Sequence, residues 1–588
     1  MELPRSAIFA IPVLIAVAAF LLGKWSELSA AIVLRAGYDS SKCRCFPGDS
    51  CWPSDAEWDT FNQTLQGKLI ATVPIASKCH DSQFAQYDAE ACEQLRSVWD
   101  YPETHLVTSS SPMAPFYANM SCDPYTPREA QCVIGTYVRY AVNATSGKDY
   151  RSTLDFVQKH NIRLVIRNTG HDYLSKSTGA GALALWTHHL QDISIFDYSS
   201  PQYNGKAMRM GAGVLNSQAQ AAAHDQGLIV VGGVAPSVGT AGGYTQGGGH
   251  GTLSSTYGLG ADQVLEWEVI TSSGQILTAT PEENSDLYWA LSGGGGGTYA
   301  AVLSMTVKTY PDGLFAGARL TFTSQDATDE AFWSVVNTFL SAQPKTTDAG
   351  AGGIWILADG YFSLQPLIGP GMTSQQLQAH LQTVIDALDR NNMVYDYAID
   401  DFPTYLEADQ AMSPEWNISQ FNIGGRFLPR SLFLTDESTK SVTDALRFIV
   451  KNGGVYSGMS VNVARAPFVP NSVHPLWRST QVVSVFGTPY DRFDYQANVV
   501  GQQQVTHVLA PALESLTPGG GAYLNEADLH QPDFQEALYG TNYAKLKVIK
   551  EKYDPHDVFY GPTAVGSENW EIESDGRLCR AKTRVHNP

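Results

Sequence analysis

The residues of this chain best suited to chemistry lie in one turn. Arg167-Asn168-Thr169-Gly170-His171-Asp172-Tyr173 follows the short apolar run 163–167 and leads into Ser175, Ser177, Thr178 and Gly179. A turn rich in glycine and hydroxyl side chains offers backbone N–H groups to an anion, and its length suits a diphosphate. A second segment runs Gly232-Gly233-Val234-Ala235-Pro236-Ser237-Val238-Gly239-Thr240-Ala241-Gly242-Gly243. It continues through Gly247-Gly248-Gly249-His250-Gly251 to Tyr257-Gly258-Leu259-Gly260-Ala261-Asp262. A third run, Gly293 to Gly297 with Thr298, repeats the theme. Glycine in such density costs conformational entropy. The cost is explained if a large flat ligand lies against the backbone, whereas a turn array with no ligand leaves it unexplained. None of the runs has the strand, G-x-G-x-x-G, helix and acidic residue of a dinucleotide-binding Rossmann unit, and no Walker lysine–serine pattern is present.

These turns need elements to hold them. Residues 152–160 fit a helix with Leu154, Phe156 and Val157 on one face, and 163–167 read as a short buried strand. Strand, helix and glycine-turn signals alternate to about Pro311, which predicts an α+β domain. Beyond it, strand candidates such as 353–357 and 482–486 alternate with amphipathic helices. One helix is expected over 374–390, with Leu377, Leu381, Val384, Ile385 and Leu388 apolar. That pattern predicts a second domain built on a sheet covered by helices. The tail is expected to place a strand at 522–525 and a helix at 542–553, ending before Asp554-Pro555. The chain therefore divides into a targeting segment 1–37, a Cys-rich segment 38–123, a ligand-binding domain 124–312, a second domain 313–518 and a returning tail 519–588.

At 588 residues the chain exceeds one core. A net charge of −20 without a basic run argues against nucleic acid as a partner. Arg5, the apolar run 7–22 and Lys24 read as a signal peptide or a signal anchor, either of which delivers the chain to the secretory lumen, the outside or a membrane surface. Seven of the eight cysteines fall within the first 132 residues and the eighth is Cys579, which suggests disulfides of open connectivity stapling the N-terminal segment. No metal site is expected, since Cys43-Arg44-Cys45 has no histidine at zinc spacing and His188-His189 lacks a third ligand. Sequons at Asn62, Asn119, Asn143 and Asn417 are consistent with glycosylation. The oligomeric state is left open.

The stretch Ile166–Gly179, the block Gly233–Asp262 and the tail Tyr539-Gly540-Thr541-Asn542-Tyr543 … Lys552-Tyr553-Asp554-Pro555 together resemble the vanillyl-alcohol-oxidase-type FAD proteins. These have a PCMH-type FAD-binding domain, and the wording here, with Ser567-Glu568-Asn569-Trp570, is most similar to the fungal secreted members of the berberine-bridge-enzyme-like branch. The resemblance spans roughly residues 120–570 and implies an oxidase that moves hydride from a small organic molecule to FAD, with molecular oxygen as acceptor. An oxidative cyclase is the alternative within enzymes, and a redox-inactive ligand-binding glycoprotein the alternative outside them. By resemblance His171 carries the flavin covalently. Ala235 stands where doubly linked members have cysteine, so a single link is expected. Val238 is implied to lie beside the flavin and admit oxygen. The cofactor-binding set carried over comprises Arg167, Asn168, Thr169, Gly170, His171, Asp172, Ser177, Thr178, Gly233, Ala235, Val238, Gly239, Gly242, Gly243, Gly248, Gly249, His250, Gly251, Asp262, Asn542 and Tyr543. For catalysis, Tyr523-Leu524-Asn525-Glu526 matches a family Y-x-N-Y strand except at Glu526. A glutamate against an apolar flavin face suits a general base. A strand's alternation would instead turn Glu526 away from Tyr523 and Asn525, into a structural ion pair, and both readings stay open.

Overall fold

The computed structural model describes residues 42–325, 327–464 and 470–582. The targeting segment expected at 1–37 lies outside the described residues. Among those described, no helix is long and apolar enough to cross a membrane.

The N-terminal sheet begins with a cap. The Ser146 side chain accepts the Asp149 N–H and starts a helix, Gly147–Lys159, five residues earlier than the apolar spacing alone indicates. That helix buries Tyr150, Leu154, Phe156 and Val157 against a sheet ordered Leu69–Ala71, Tyr140–Asn143, Leu183–Trp186, Leu164–Arg167. The last three strands run parallel and the first antiparallel. The Cys-rich segment is thus no independent unit: it contributes an edge strand at 69–71. A second, antiparallel sheet follows, ordered Ile193–Ser199, Asn204–Gly211, Ala301–Lys308, Val264–Ile270, Ile276–Ala279.

The third sheet has seven antiparallel strands, ordered Tyr395–Phe402, Phe315–Thr323, Tyr361–Pro370, Gly352–Ala358, Val455–Ser460, Thr480–Pro489, Phe421–Pro429. Helices Asp329–Asp348, Ser374–Arg390 and Asp436–Lys451, each N-capped by a threonine, cover one face. Phe339, Leu381 and Leu446 meet Trp355, Phe362 and Tyr456 there in one buried cluster. Each such side chain contributes about 1.5–3 kcal/mol of burial. Alternation turns Ile354, beside Trp355, to the opposite face. The fold is α+β, a sheet-and-helix unit joined to an antiparallel sheet covered by helices.

The expected strand at 522–525 does not form. Ala522 donates to the Ala537 carbonyl (2.8 Å) and Glu526 to the Tyr523 carbonyl (2.9 Å), so the segment is a turn. It crosses strand Phe421–Pro429 closely enough that a Cβ on Gly425 would lie 1.9 Å from the Glu526 carbonyl oxygen. The tail helix, Tyr543–Tyr553, ends on a buried pair in which the Lys550 ammonium meets Asp554 (2.5 Å). Cys43–Cys579, Cys45–Cys51, Cys79–Cys92 and Cys122–Cys132 are disulfides; three staple the N-terminal segment and one ties it to the tail.

Candidate active site

The turn at 167–173 is built over a buried arginine. The Arg167 guanidinium donates to the carbonyls of Thr108 (3.2 Å), His105 (3.2 Å) and Ser111 (2.7 Å), fastening the strand end to the N-terminal segment. Gly170 lies over it at φ +91°, where a Cβ would sit 2.8 Å from Arg167 Nη1, so this position requires glycine. Arg167 is therefore the support of the turn and lies outside the cavity wall. Asp172 accepts the N–H groups of Leu174 and Ser177 (both 2.8 Å), which folds the chain back on itself. The backbone N–H groups of residues 169–173 donate to no described residue.

These residues open on a cavity reaching from the turn, across the glycine runs, to the tail. Its wall includes Asn168, Thr169, Gly170, His171, Asp172, Ser177, Gly233, Ala235, Val238, Gly239, Gly242, Gly243, His250, Tyr523, Asn525 and Glu526. Asn168 donates to the Ala212 carbonyl (2.5 Å) while its Oδ1 is buried without a partner. It occupies the space beside Gly239 and Gly242, whose Cβ atoms would fall 2.5 Å and 2.9 Å from it. A Cβ on Gly243 would meet nothing nearer than Asn525 Oδ1 (3.8 Å), and one on Gly297 nothing nearer than Ile166 (3.9 Å). Gly243 and Gly297 keep this wall open, and side chains there would project into the cavity. His171 Nε2 is held by the Ser237 hydroxyl (2.8 Å). Burial, with His105 adding to it, pushes the imidazole down to about 4, so it is neutral at physiological pH.

The tail and the second glycine block meet at the cavity in a polar group. His250 Nε2 and Glu526 Oε2 are 2.9 Å apart. Asn525 Nδ2 donates to the Tyr523 hydroxyl (2.7 Å) and to the Gly243 carbonyl (2.6 Å). The turn at 523–526 replaces strand alternation, so Glu526 faces the same cavity as Tyr523 and Asn525; of the two readings left open, the one that turns it away does not hold, although its pair with His250 does form. Burial, then the nearby Glu526, raises the Tyr523 phenol far above its ordinary range and keeps it protonated.

Other expected contacts lie elsewhere. Thr178 bonds the Thr136 carbonyl (2.8 Å). Gly248 and Gly249 carry the chain through φ +125° and +74°, a Cβ on Gly249 would lie 2.7 Å from the Tyr244 ring, and one on Gly251 would lie 2.2 Å from the Gly232 carbonyl oxygen, so only Gly251 packs backbone on backbone. Asp262 is bound by Arg478 at 2.6 and 2.8 Å, which ties the second glycine block to residue 478. Asn542 donates to the Val473 carbonyl (3.0 Å), and the Tyr543 hydroxyl bonds Glu568 (2.6 Å). Conversely, Tyr173, Lys176, Tyr244, Trp416, Asn417 and Tyr560 line the cavity without having been singled out as contacts. Of these, Asn417 carried a signal, its sequon. Trp416 and Asn417 sit on a strap pinned by bonds from Ile418 N–H to the Asp100 carbonyl (2.8 Å) and from Ser419 N–H to the Met113 carbonyl (2.9 Å).

Unpaired amides suited to a diphosphate, a flat glycine wall and a neutral histidine fit a dinucleotide flavin, and comparison with known proteins agrees. Residues 138–280 match the FAD binding domain family and 522–566 the berberine and berberine-like family. The chain is 46% identical to the FAD-linked oxidoreductase sor8 of Hypocrea jecorina over 95% of this chain and 97% of that one. It is 42% identical to the VAO-type flavoprotein oxidase VAO615 of Thermothelomyces thermophilus over 92% and 96%. The crystal structure of the VAO-type flavoprotein MtVAO615 from Myceliophthora thermophila C1 superposes with a TM-score of 0.88 at 41% identity, covering 92% of this chain and all of that one. The chain belongs to the VAO-type, berberine-bridge-enzyme-like FAD-linked oxidoreductases. It is an enzyme, and FAD is its cofactor.

Proposed function

We propose that the protein is an oxidase that carries FAD through a single covalent bond at His171, dehydrogenates a small alcohol, amine or secondary-metabolite intermediate, and reduces oxygen to hydrogen peroxide. The observation that carries this reading is one cavity holding both the neutral His171 and the Tyr523–Asn525–Glu526–His250 group. When bound, FAD supplies the hydride acceptor and the route to oxygen. Ser237 engages Nε2 of His171 and leaves Nδ1 as the ring nitrogen for attachment, while Ala235 offers no thiol for a second bond. Val238, on the same wall, leaves oxygen access to the flavin. The protonated Tyr523 hydroxyl, oriented by Asn525, donates a hydrogen bond to the substrate heteroatom. Glu526 accepts the proton of the substrate O–H or N–H as the carbon–hydrogen bond gives up its hydrogen as hydride, and His250 holds the carboxylate in place. The Trp416–Asn417 strap shapes substrate entry. Four disulfides support an oxidising compartment, and with the apolar run 7–22 they favour secretion or a lumenal, membrane-tethered form.

Acid precipitation of the purified protein tests the link: yellow colour stays with the pellet and the spectrum keeps its flavin bands. Flavin released to the supernatant overturns covalent attachment, and donor turnover without peroxide overturns the oxidase. A second reading, oxidative ring closure, is favoured by 38% identity over 561 residues to the bifunctional decalin synthase calF of Penicillium decumbens. Its signature is a cyclised product formed with each peroxide released.

A further inference from the structure

The FAD diphosphate brings two negative charges into a cavity whose wall already includes Asp172 and Glu526. Among the described residues on that wall, Lys176 is the one lysine or arginine. Its stem packs on the tail, where a Cβ on Gly561 would lie 3.1 Å from Lys176 Cγ. Its ammonium makes no hydrogen bond or ion pair with a described residue. The carboxylate that acts on it, Asp172, takes the Leu174 N–H on one oxygen and the Ser177 N–H on the other. Those two bonds close the 172–177 turn, and Lys176 lines the same cavity as residues 169–173 with their unpaired amides. The cost of desolvating the ammonium outweighs the pull of Asp172 and brings Lys176 down to about 8. An anion arriving in the cavity removes that cost.

We infer that Lys176 is the charge partner of the FAD diphosphate: the amides of 169–173 orient the phosphate oxygens and the Lys176 ammonium neutralises them. The inference rests on the FAD site and is independent of the covalent bond, the substrate and the oxygen reaction. Backbone dipoles alone leave two charges in a low-dielectric cavity poorly compensated, and a point cation on a stem pinned by the tail completes the site.

The test measures cofactor binding apart from turnover. In a His171→Ala background, where flavin is held without a bond, FAD and riboflavin affinities are titrated by fluorescence for the parent, Lys176→Met and Lys176→Arg. The expected result is at least tenfold weaker FAD binding in K176M, riboflavin affinity unchanged, and recovery in K176R. The phosphorus NMR signal of FAD in the otherwise native holoenzyme provides a second measurement, and K176M shifts the diphosphate resonances. Equal weakening of FAD and riboflavin makes Lys176 a packing residue and overturns the inference. Unchanged FAD affinity and unchanged phosphorus signals, with a raised KM confined to an acidic donor, assign its anion to the substrate and overturn it too. Loss of the covalent bond or of peroxide formation leaves both readouts intact, so failure of the oxidase reading is told apart.

Discussion

At the scale of single residues, the site is decided by which group takes the proton. Tyr523 is buried, and its phenol is raised well above the ordinary tyrosine range by desolvation and by Glu526, so deprotonating it at neutral pH is unfavourable. Glu526 shares the cavity and is held by His250 at 2.9 Å. Glu526→Gln keeps the size and removes the basic oxygen, so kcat is expected to fall by about 10²–10⁴-fold, the span of general base catalysis. The flavin spectrum should persist. Tyr523→Phe removes a donor and is expected to cost less. Stopped-flow reduction of the flavin under nitrogen checks both, and a reduction rate in E526Q within threefold of the parent would remove Glu526 from the mechanism.

At the scale of elements, the N-terminal disulfide-stapled segment braces the cofactor turn. Arg167 reaches three carbonyls of residues 105–111, Met113 donates to the Gly170 carbonyl (3.2 Å), and the Tyr117 hydroxyl donates to the Tyr173 carbonyl (2.6 Å). Arg167→Met leaves the three carbonyls without their donor, a loss of about 2–4 kcal/mol after the relief of the buried charge. Differential scanning calorimetry should read this as a lower Tm. Limited proteolysis should find new cleavage between residues 100 and 120, and the flavin content should drop although Arg167 lies off the cavity wall. Unaltered proteolysis in R167M would show that the brace is held by the backbone bonds alone.

At the scale of the molecule, buried imidazoles set an acid limit. Burial pushes His105 and His474 each down to about 4. Unfolded histidine titrates near 6.5. Between those values the unfolded chain binds protons that the fold excludes, so stability falls as pH drops from about 6.5 to 4 and levels off below. Each imidazole accounts for on the order of 3 kcal/mol at the acid end. Thermal melts from pH 7 to 4 should show the decline, and His105→Gln should flatten part of it. A Tm independent of pH over that window would contradict neutral burial.

Much of this organisation was legible in the chain because its causes are local. The apolar spacing of Leu377, Leu381, Val384 and Leu388 marks the helix Ser374–Arg390, and the glycine runs mark a flat wall because only glycine leaves backbone bare. His171 stands out because its turn supplies amides without side chains in the way. What the tertiary structure decided depends on partners distant in sequence. Glu526 faces the cavity because Gly425 lets the tail cross a strand closely and bend it into a turn, bringing it to a histidine 276 positions away. Arg167 holds the turn from beneath instead of touching the ligand because the carbonyls it needs lie some sixty residues earlier. Lys176 carried no motif of its own, and its position on the wall follows from the fold of the Asp172 turn and the packing of Gly561. The pairing of Cys43 with Cys579 belongs with these, since it joins the two ends of the described chain. Local chemistry and periodicity are written in neighbouring residues, whereas the direction a side chain faces is set by what packs against it.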